Sequence, residues 1–440
     1  MPYFLGIDLG TSSIKGALLD TEAQRVSHFR RRPFPDAISA TDASHLEVSP
    51  SEIVEETRLL IAELLTDCES CAGVLFSSQM GGIILARPDG KLLTNYISWR
   101  DQRGLASHPS QAGSLFEQLK QRTSPREASE LGNELAPGSA ASILFALAET
   151  GQLPDGELHA ANLGDYVVAK LCEAQPRMEL TMAVGIVNLR TGNIHDDWLA
   201  KLTAQKIVWP QLVAVGQPAG EMRTPAGKLP CFAAVGDHQA ALLGAGVCPD
   251  ELSINISTGS QVGMITPSAE LSENYQTRPF FNGQYVNTIT HLPAGRALNA
   301  LVDLLTDLPR RDGYVPTDPW QHIIRAIDEA DDAELAADIA FFDCKVGTHG
   351  SLNKMRLESM TVGHVFRAAV DNMVDNYLTA ARRLAPDQGW NAVVLSGGLA
   401  QKINYLRDTI QQRLAAPLRI AQEQEETLSG LLCLARQIGS

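Results

Sequence analysis

Phe4-Leu-Gly-Ile-Asp-Leu-Gly-Thr-Ser-Ser-Ile-Lys-Gly-Ala-Leu-Leu19 is an apolar run, a tight Gly/Thr/Ser turn and a second apolar run. The same grammar returns as Leu252-Ser-Ile-Asn-Ile-Ser-Thr-Gly-Ser-Gln-Val-Gly-Met-Ile265. Each copy reads as two strands joined by a loop of backbone N–H and hydroxyl donors. Glycine lets a backbone approach an anion closely and Thr and Ser add neutral donors, so such loops suit phosphate oxygens. Thr11 and Thr258 lie 247 positions apart. The copies therefore open two halves of the chain rather than two tandem modules, which implies a duplicated nucleotide-binding fold with ATP held between the halves.

Length and composition agree. At 440 residues the chain exceeds the size at which a single core stops growing, and two domains are expected. With 44% hydrophobic and 20% charged residues there is apolar material for two cores. A net charge of −15 argues against a general nucleic-acid or anionic-membrane surface, so the phosphate site must be local. Tyr3 to Ile7 is too short for a signal core and no run of 18 apolar residues is present, so a soluble, cytoplasmic protein is expected. Seven scattered cysteines read as reduced thiols. Cys68 and Cys71 form a lone Cys-x-x-Cys that is read as packing, and Cys231 and Cys248 are placed in the core.

The path along the chain alternates α and β. Arg25 to Arg32 is a candidate third strand, and Ser49-Pro-Ser-Glu52 is a capping box that opens a helix to about Asp67. Gly73 to Ser77 reads as a buried strand. Ile83 to Arg87 and Leu92 to Ser98 flank the turn Pro88-Asp-Gly90, a hairpin that delivers Trp99-Arg-Asp-Gln-Arg103. Cys231 to Val235 is a short strand running into Gly236-Asp-His-Gln239. Further on, Thr361 to Leu384 carries helical periodicity, Ala392 to Leu395 is a buried strand, Ser396-Gly-Gly398 is its turn and Ala400 to Leu414 the helix beyond. Neither a P-loop, a Rossmann glycine motif nor His-Glu-x-x-His spacing occurs. The metal reading that survives is Mg2+ brought in with nucleotide.

Six motifs in order, Gly6-Ile-Asp-Leu-Gly-Thr-Ser-Ser-Ile-Lys15, Ser78-Gln-Met-Gly-Gly82, Trp99-x-Asp-x-Arg103, Gly236-Asp-His-Gln-Ala-Ala241, Ser257-Thr-Gly-Ser260 and Ser396-Gly-Gly398, resemble the FGGY carbohydrate kinases across almost the whole chain. That resemblance implies an α/β fold of two ribonuclease-H-like domains of the actin and sugar-kinase superfamily, here 1–230 and 231–440, with an interdomain ATP and substrate cleft. It also implies transfer of the ATP γ-phosphoryl group to a hydroxyl of a sugar or polyol, with domain closure aligning the reactants.

The resemblance assigns roles residue by residue. Asp237, which by itself is as good a helix N-cap as a base, matches the family's catalytic aspartate. Asp8 matches a carboxylate that helps hold Mg2+ through water. Gly10, Thr11, Ser12 and Ser13 form the first phosphate loop, with Lys15 either reaching a phosphate or solvated. Thr258, Gly259 and Ser260 contact the β- and γ-phosphates, Gly397 and Gly398 back the adenine or ribose, and Lys402 is a further adenosine-site candidate. Gln79, Met80 and His238 belong to the sugar pocket. Trp99 packs beneath a sugar ring or sits in the core, while Asp101 and Arg103 bind substrate or pair with one another.

Gly81 stands where the family's Gln-Met-His-Gly element has histidine, which removes one polar wall of the pocket. Asn255-Ile-Ser-Thr-Gly-Ser-Gln261 and His291-Leu-Pro-Ala-Gly-Arg-Ala-Leu298 resemble the sedoheptulokinase-like branch most. The expected substrate is therefore a ketose or polyol, a seven-carbon ketose such as sedoheptulose first and xylulose or another pentulose second. A non-catalytic sugar or nucleotide sensor and a phosphatase on the same fold are the rival readings. Neither nucleic acid nor membrane is an expected partner, and a homodimer is allowed by the sequence without being dictated by it.

Overall fold

A computed structural model describes residues 3–40, 42–68, 70–314, 317–421 and 425–439. The chain divides into two compact units. The first runs to Gly246, resumes over Pro267–Tyr285 and returns from Glu425. The second takes up Val247–Thr266 and the chain from Val286 until that return. The expected boundary at 230/231 is thus not where the structure divides. Cys231 pairs with Val74 inside the first unit's sheet, and the helix carrying Asp237 belongs to that unit too.

The first unit is built on a seven-stranded sheet among the described residues. Its order is Pro218–Thr224, Gly227–Phe232, Cys71–Ser78, Tyr3–Leu9, Ser13–Asp20 and Arg25–Pro33, with the short strand Val235–Gly236 also on Cys71–Ser78. The opening hairpin is antiparallel, Asp8 facing Lys15 and Leu9 facing Ile14, and Cys71–Ser78 returns parallel to its first strand. Tyr3–Leu9 is apolar at nearly every position because the sheet is covered on both faces.

On one face lies the helix Pro50–Leu65. Ser49 caps it by accepting from the Glu52 N–H at 3.4 Å, Pro50 fills its first turn, and Ile53, Val54, Thr57, Leu60, Ile61 and Leu64 form its buried stripe. Gly16 permits this close seat, since a Cβ there would lie 2.7 Å from Leu64 Cδ1. The hairpin expected over 83–98 is reduced to the bridges Ala86 to Leu92 and Ile83 to Ile97. Its second strand, Tyr96–Ile97, pairs instead with Glu47–Val48.

The second unit repeats the pattern. Glu251–Ile256 and Gly259–Thr266 form an antiparallel hairpin, and Ala392–Ser396 returns parallel to the first of these strands, with Leu418–Ile420 parallel beyond it. The helix Val362–Leu384 buries Phe366, Val370, Met373, Val374 and Tyr377. The expected helix 400–414 is two, Gly398–Lys402 and Asn404–Leu414, broken at the extended residue Ile403. Cys231 is buried as read, but Cys248 is exposed, two residues before Asp250 turns left-handed at φ 67°. No helix among the described residues is long and apolar enough to cross a membrane.

Candidate active site

Three parallel strands of the first unit end together: Tyr3–Leu9, Cys71–Ser78 and Val235–Gly236. Asp8 lies beside Ser77, Val235 beside Ser77 and Gly236 beside Ser78. Asp8, Gln79 and Asp237 therefore gather at the carboxyl ends of adjacent strands, where α/β sheets place their ligands. Asp8 is buried and its Oδ1 accepts from the Ser77 hydroxyl at 2.8 Å. Burial, only partly offset by Ser77 and Lys15, pushes its carboxyl up to about 6.

Asp237 is the first residue of the helix Asp237–Gly244. Gly236 is the N-cap, so the capping alternative falls one residue earlier than expected. The Asp237 Oδ1 accepts from the His238 N–H at 2.7 Å. Burial first, and then the nearby Asp8 charge, push Asp237 up to about 7. A carboxylate that titrates there is matched to proton abstraction near neutral pH.

The backbone that presents it is pinned from below. The Gly236 N–H donates to Thr181 Oγ1 at 2.8 Å, and the Thr181 N–H and hydroxyl both donate to Glu179 Oε2, the former at 2.8 Å. A Cβ on Gly236 would lie 2.7 Å from Met80 Sδ and 2.4 Å from Gln239 Oε1, so a larger residue here would push both of those side chains aside.

Gln79 reaches back to the loop of the first hairpin, its Nε2 donating to the Gly10 carbonyl at 3.3 Å. The loop is closed by Gly10 N–H to Ser13 carbonyl at 3.2 Å. Thr11 and Ser12 lie at its more open tip and Ser13 is buried. Lys15 pairs with Glu425 at 2.6 Å, a partner that the local sequence does not show. Gly81 and Gly82 are both left-handed, at φ 77° and 68°, a conformation that side chains disfavour. Trp99 is half-buried, its Cβ 3.2 Å from where a Gly81 Cβ would be.

For Asp101 and Arg103 the ion pair is what forms. The fully buried Asp101 accepts from the Arg103 N–H at 2.9 Å and Nε at 2.8 Å on Oδ1, and from the Leu46 N–H at 2.7 Å and Arg103 Nη2 at 2.9 Å on Oδ2. Arg103 also holds Glu47 at 2.7 Å. Asp101→Asn turns one of these acceptors into a donor facing donors, and is expected to cost about 2 kcal/mol in urea unfolding with little change in sugar KM. A large KM change at unaltered stability would return Asp101 to the pocket.

In the second unit Thr258 and Gly259 are exposed at the hairpin tip. The carbonyls behind them are tied by the helix Gly295–Arg311: the Gly295 N–H donates to Ser257 at 3.1 Å and the Arg296 N–H to Thr258 at 2.7 Å. Ser260 is buried and donates to the Leu292 carbonyl at 3.3 Å, so its hydroxyl is engaged within the protein. Asn255 Nδ2 donates to Ser396 Oγ at 2.8 Å, which joins the hairpin to the glycine turn. Gly397, at φ 88°, has its Cβ position 2.3 Å from the Ile256 carbonyl, whereas Gly398 faces open space; Lys402 is exposed.

Two residues escaped the sequence reading. Arg278 and Glu134 form a buried pair, Nε to Oε1 at 2.5 Å and Nη2 to Oε2 at 3.0 Å, and Arg278 Nη1 reaches His238 Nδ1 at 3.0 Å. They lie 144 positions apart, and neither sits in a local motif.

A hairpin followed by a parallel return strand, built twice, is the architecture of phosphotransferases of the sugar-kinase type. Residues 3–244 match the model of the FGGY family of carbohydrate kinases, N-terminal domain. Human sedoheptulokinase is 22% identical over 486 aligned residues, covering 99% of this chain and 98% of that protein. Xylulose kinase from Bacillus subtilis is 32% identical over 107 residues, 23% of this chain and 21% of that protein. The crystal structure of gluconate kinase from Lactobacillus acidophilus superposes with a TM-score of 0.84 at 19% identity, covering 99% of this chain and 89% of that one. The chain belongs to the FGGY family of carbohydrate kinases, and is an ATP-dependent sugar phosphotransferase.

Proposed function

We propose that the enzyme phosphorylates a ketose or polyol, a seven-carbon ketose such as sedoheptulose in the first place, with Asp237 as general base. The observation that carries the base assignment is the position of Asp237 at the end of a parallel strand with its carboxyl pushed up to about 7. A carboxylate so placed accepts the proton of the attacking hydroxyl as the oxygen bonds to the γ-phosphorus and ADP leaves. Full-length similarity to human sedoheptulokinase supports the seven-carbon choice. The short segment similar to xylulose kinase supports a pentulose as the second reading.

The remaining roles follow on this reading. Gly10, Thr11, Ser12 and Ser13 of the first unit and Thr258, Gly259 and Ser260 of the second serve phosphates. Gly397 and Gly398 lie against the nucleoside, with Lys402 near it. Gln79, Met80 and Trp99 line the sugar side.

Asp8 fits Mg2+ held through water. It offers a hard carboxylate oxygen near a second carboxylate, that of Asp237, the donor type Mg2+ takes. When bound, the ion neutralises charge on the phosphates.

The test is an ATP-consumption screen against ketoses, aldoses and polyols with mass detection of product. One sugar phosphorylated mole for mole supports the proposal and names the substrate. ATP binding without turnover on any sugar favours a sensor, and release of inorganic phosphate alone favours a hydrolase.

The pH profile gives a second check. Ionised Asp237 is the active form, so kcat/KM should fall roughly tenfold per pH unit below about 7 and level off above it. An acid limb near 4, where an ordinary aspartate titrates, would remove Asp237 from the role.

A further inference from the structure

His238 follows Asp237 directly, is 7% exposed, and carries an imidazole whose Nδ1 faces the Arg278 guanidinium at 3.0 Å. Arginine donates and cannot accept, so Nδ1 must be the unprotonated acceptor and the ring proton resides on Nε2. Arg278 is itself fixed: Glu134 takes its Nε and Nη2 in a fork at 2.5 and 3.0 Å, with both partners buried. Burial and the adjacent guanidinium hold the imidazole well below its ordinary pKa, so it stays neutral. The Nε2–H has no partner among the described residues.

Geometry gives this donor a purpose. Met80 Sδ lies 2.7 Å from where a Gly236 Cβ would be, so the segment Gln79–Gly82 runs alongside the start of the Asp237 helix. That segment carries no side chain at Gly81, and the left-handed backbone there disfavours one.

We propose that Glu134, Arg278 and His238 form a tautomer-setting relay that presents His238 Nε2–H as a fixed donor to a hydroxyl oxygen of the sugar, beside a segment that offers no side chain at Gly81. The inference rests on the kinase reading above. His238 touches substrate; Arg278 and Glu134 are positioning residues that act through it. Because the donor cannot become an acceptor, it selects sugars that place an oxygen lone pair at that point and discriminates against the deoxy analogue.

The test joins ring-selective 15N spectra of the full-length enzyme, His238 assigned with His238→Gln, to steady-state kinetics of Arg278→Met, Arg278→Lys and Glu134→Gln. The wild type should show the Nε2–H tautomer, neutral from pH 6 to 8, and Arg278→Met should show a mixture of tautomers or protonation. Sugar KM should rise roughly 10-fold in Arg278→Met, the usual worth of one hydrogen bond, with ATP KM unchanged. Arg278→Lys, which keeps the charge but loses the fork, should fall between, and it stands in for Arg278→Met if that variant fails to fold.

A protonated or Nδ1–H ring in the wild type overturns the proposal whether or not a substrate has been found. Equal changes in sugar and ATP KM also overturn it, while leaving the kinase reading intact. Absence of any sugar turnover in the wild type would instead strike at that reading, with the spectra still deciding the relay.

Discussion

Asp237→Asn is expected to lower turnover by roughly 10²- to 10⁴-fold, the range a positioned general base contributes. Asparagine has the same shape and keeps an oxygen able to accept from the His238 N–H, so helix entry at Gly236 should persist. ATP affinity should change little, and the loss should fall on kcat.

The stability of this variant should move the other way. The folded protein raises the Asp237 carboxyl from 3.8 to about 7, so relative to the unfolded chain it favours the protonated form. The associated stabilisation is fully present below about pH 3.8 and is lost as pH rises through 7. A neutral asparagine escapes that loss, so Asp237→Asn should match the wild type near pH 4 and unfold at a higher temperature at pH 8. Retention of more than a tenth of wild-type turnover would exclude Asp237 as the base. Such opposition between stability and function is common at catalytic groups.

The second large effect is expected at Gly430, far from Asp237 in sequence. The helix Glu426–Ile438 crosses the Asp237 helix so closely that a Cβ on Gly430 would lie 1.9 Å from the Ala240 carbonyl, and one on Gly244 would lie 1.8 Å from the Glu426 carbonyl. Both obstacles are backbone, which cannot swing aside as a side chain can. Gly430→Ala should therefore cost at least the roughly 3 kcal/mol of severe overpacking, read as a fall in the urea midpoint. Turnover should fall with it, because separating the helices displaces the element that starts at Asp237. An unchanged midpoint would mean that the crossing is looser than described.

How far these features were legible in the sequence depends on their range. Both hairpins and the Ser49-capped helix were legible because each is written in neighbouring residues: alternation, a capping hydroxyl, a glycine at a turn. The single strand read over Cys231 to Val235 is instead the end of Gly227–Phe232 and the separate Val235–Gly236. The glycine turn at Ser396–Gly398 was legible from the apolar strand before it. Contacts made only in three dimensions were not. Glu134 sits in a loop after Gly132 and Arg278 on a short strand, and nothing local distinguishes either from a surface charge. Thr181 and Glu179, which support Gly236, have no capping or turn motif in common with the residue they hold. The Lys15 ion pair was hidden because its partner, Glu425, lies 410 positions on. The domain boundary was misread for the same reason: composition does not change where the chain leaves the first unit after Gly246, and hydropathy does not reveal that it comes back.

That return at Glu425 bears on how the protein is made. On the ribosome, the Asp237 helix emerges about 180 residues before the helix that seats against it. Throughout that interval the buried face Ala240, Leu242 has no Gly430 to receive it. A product cut short anywhere before Glu426 carries the Asp237 helix without the helix that packs across it.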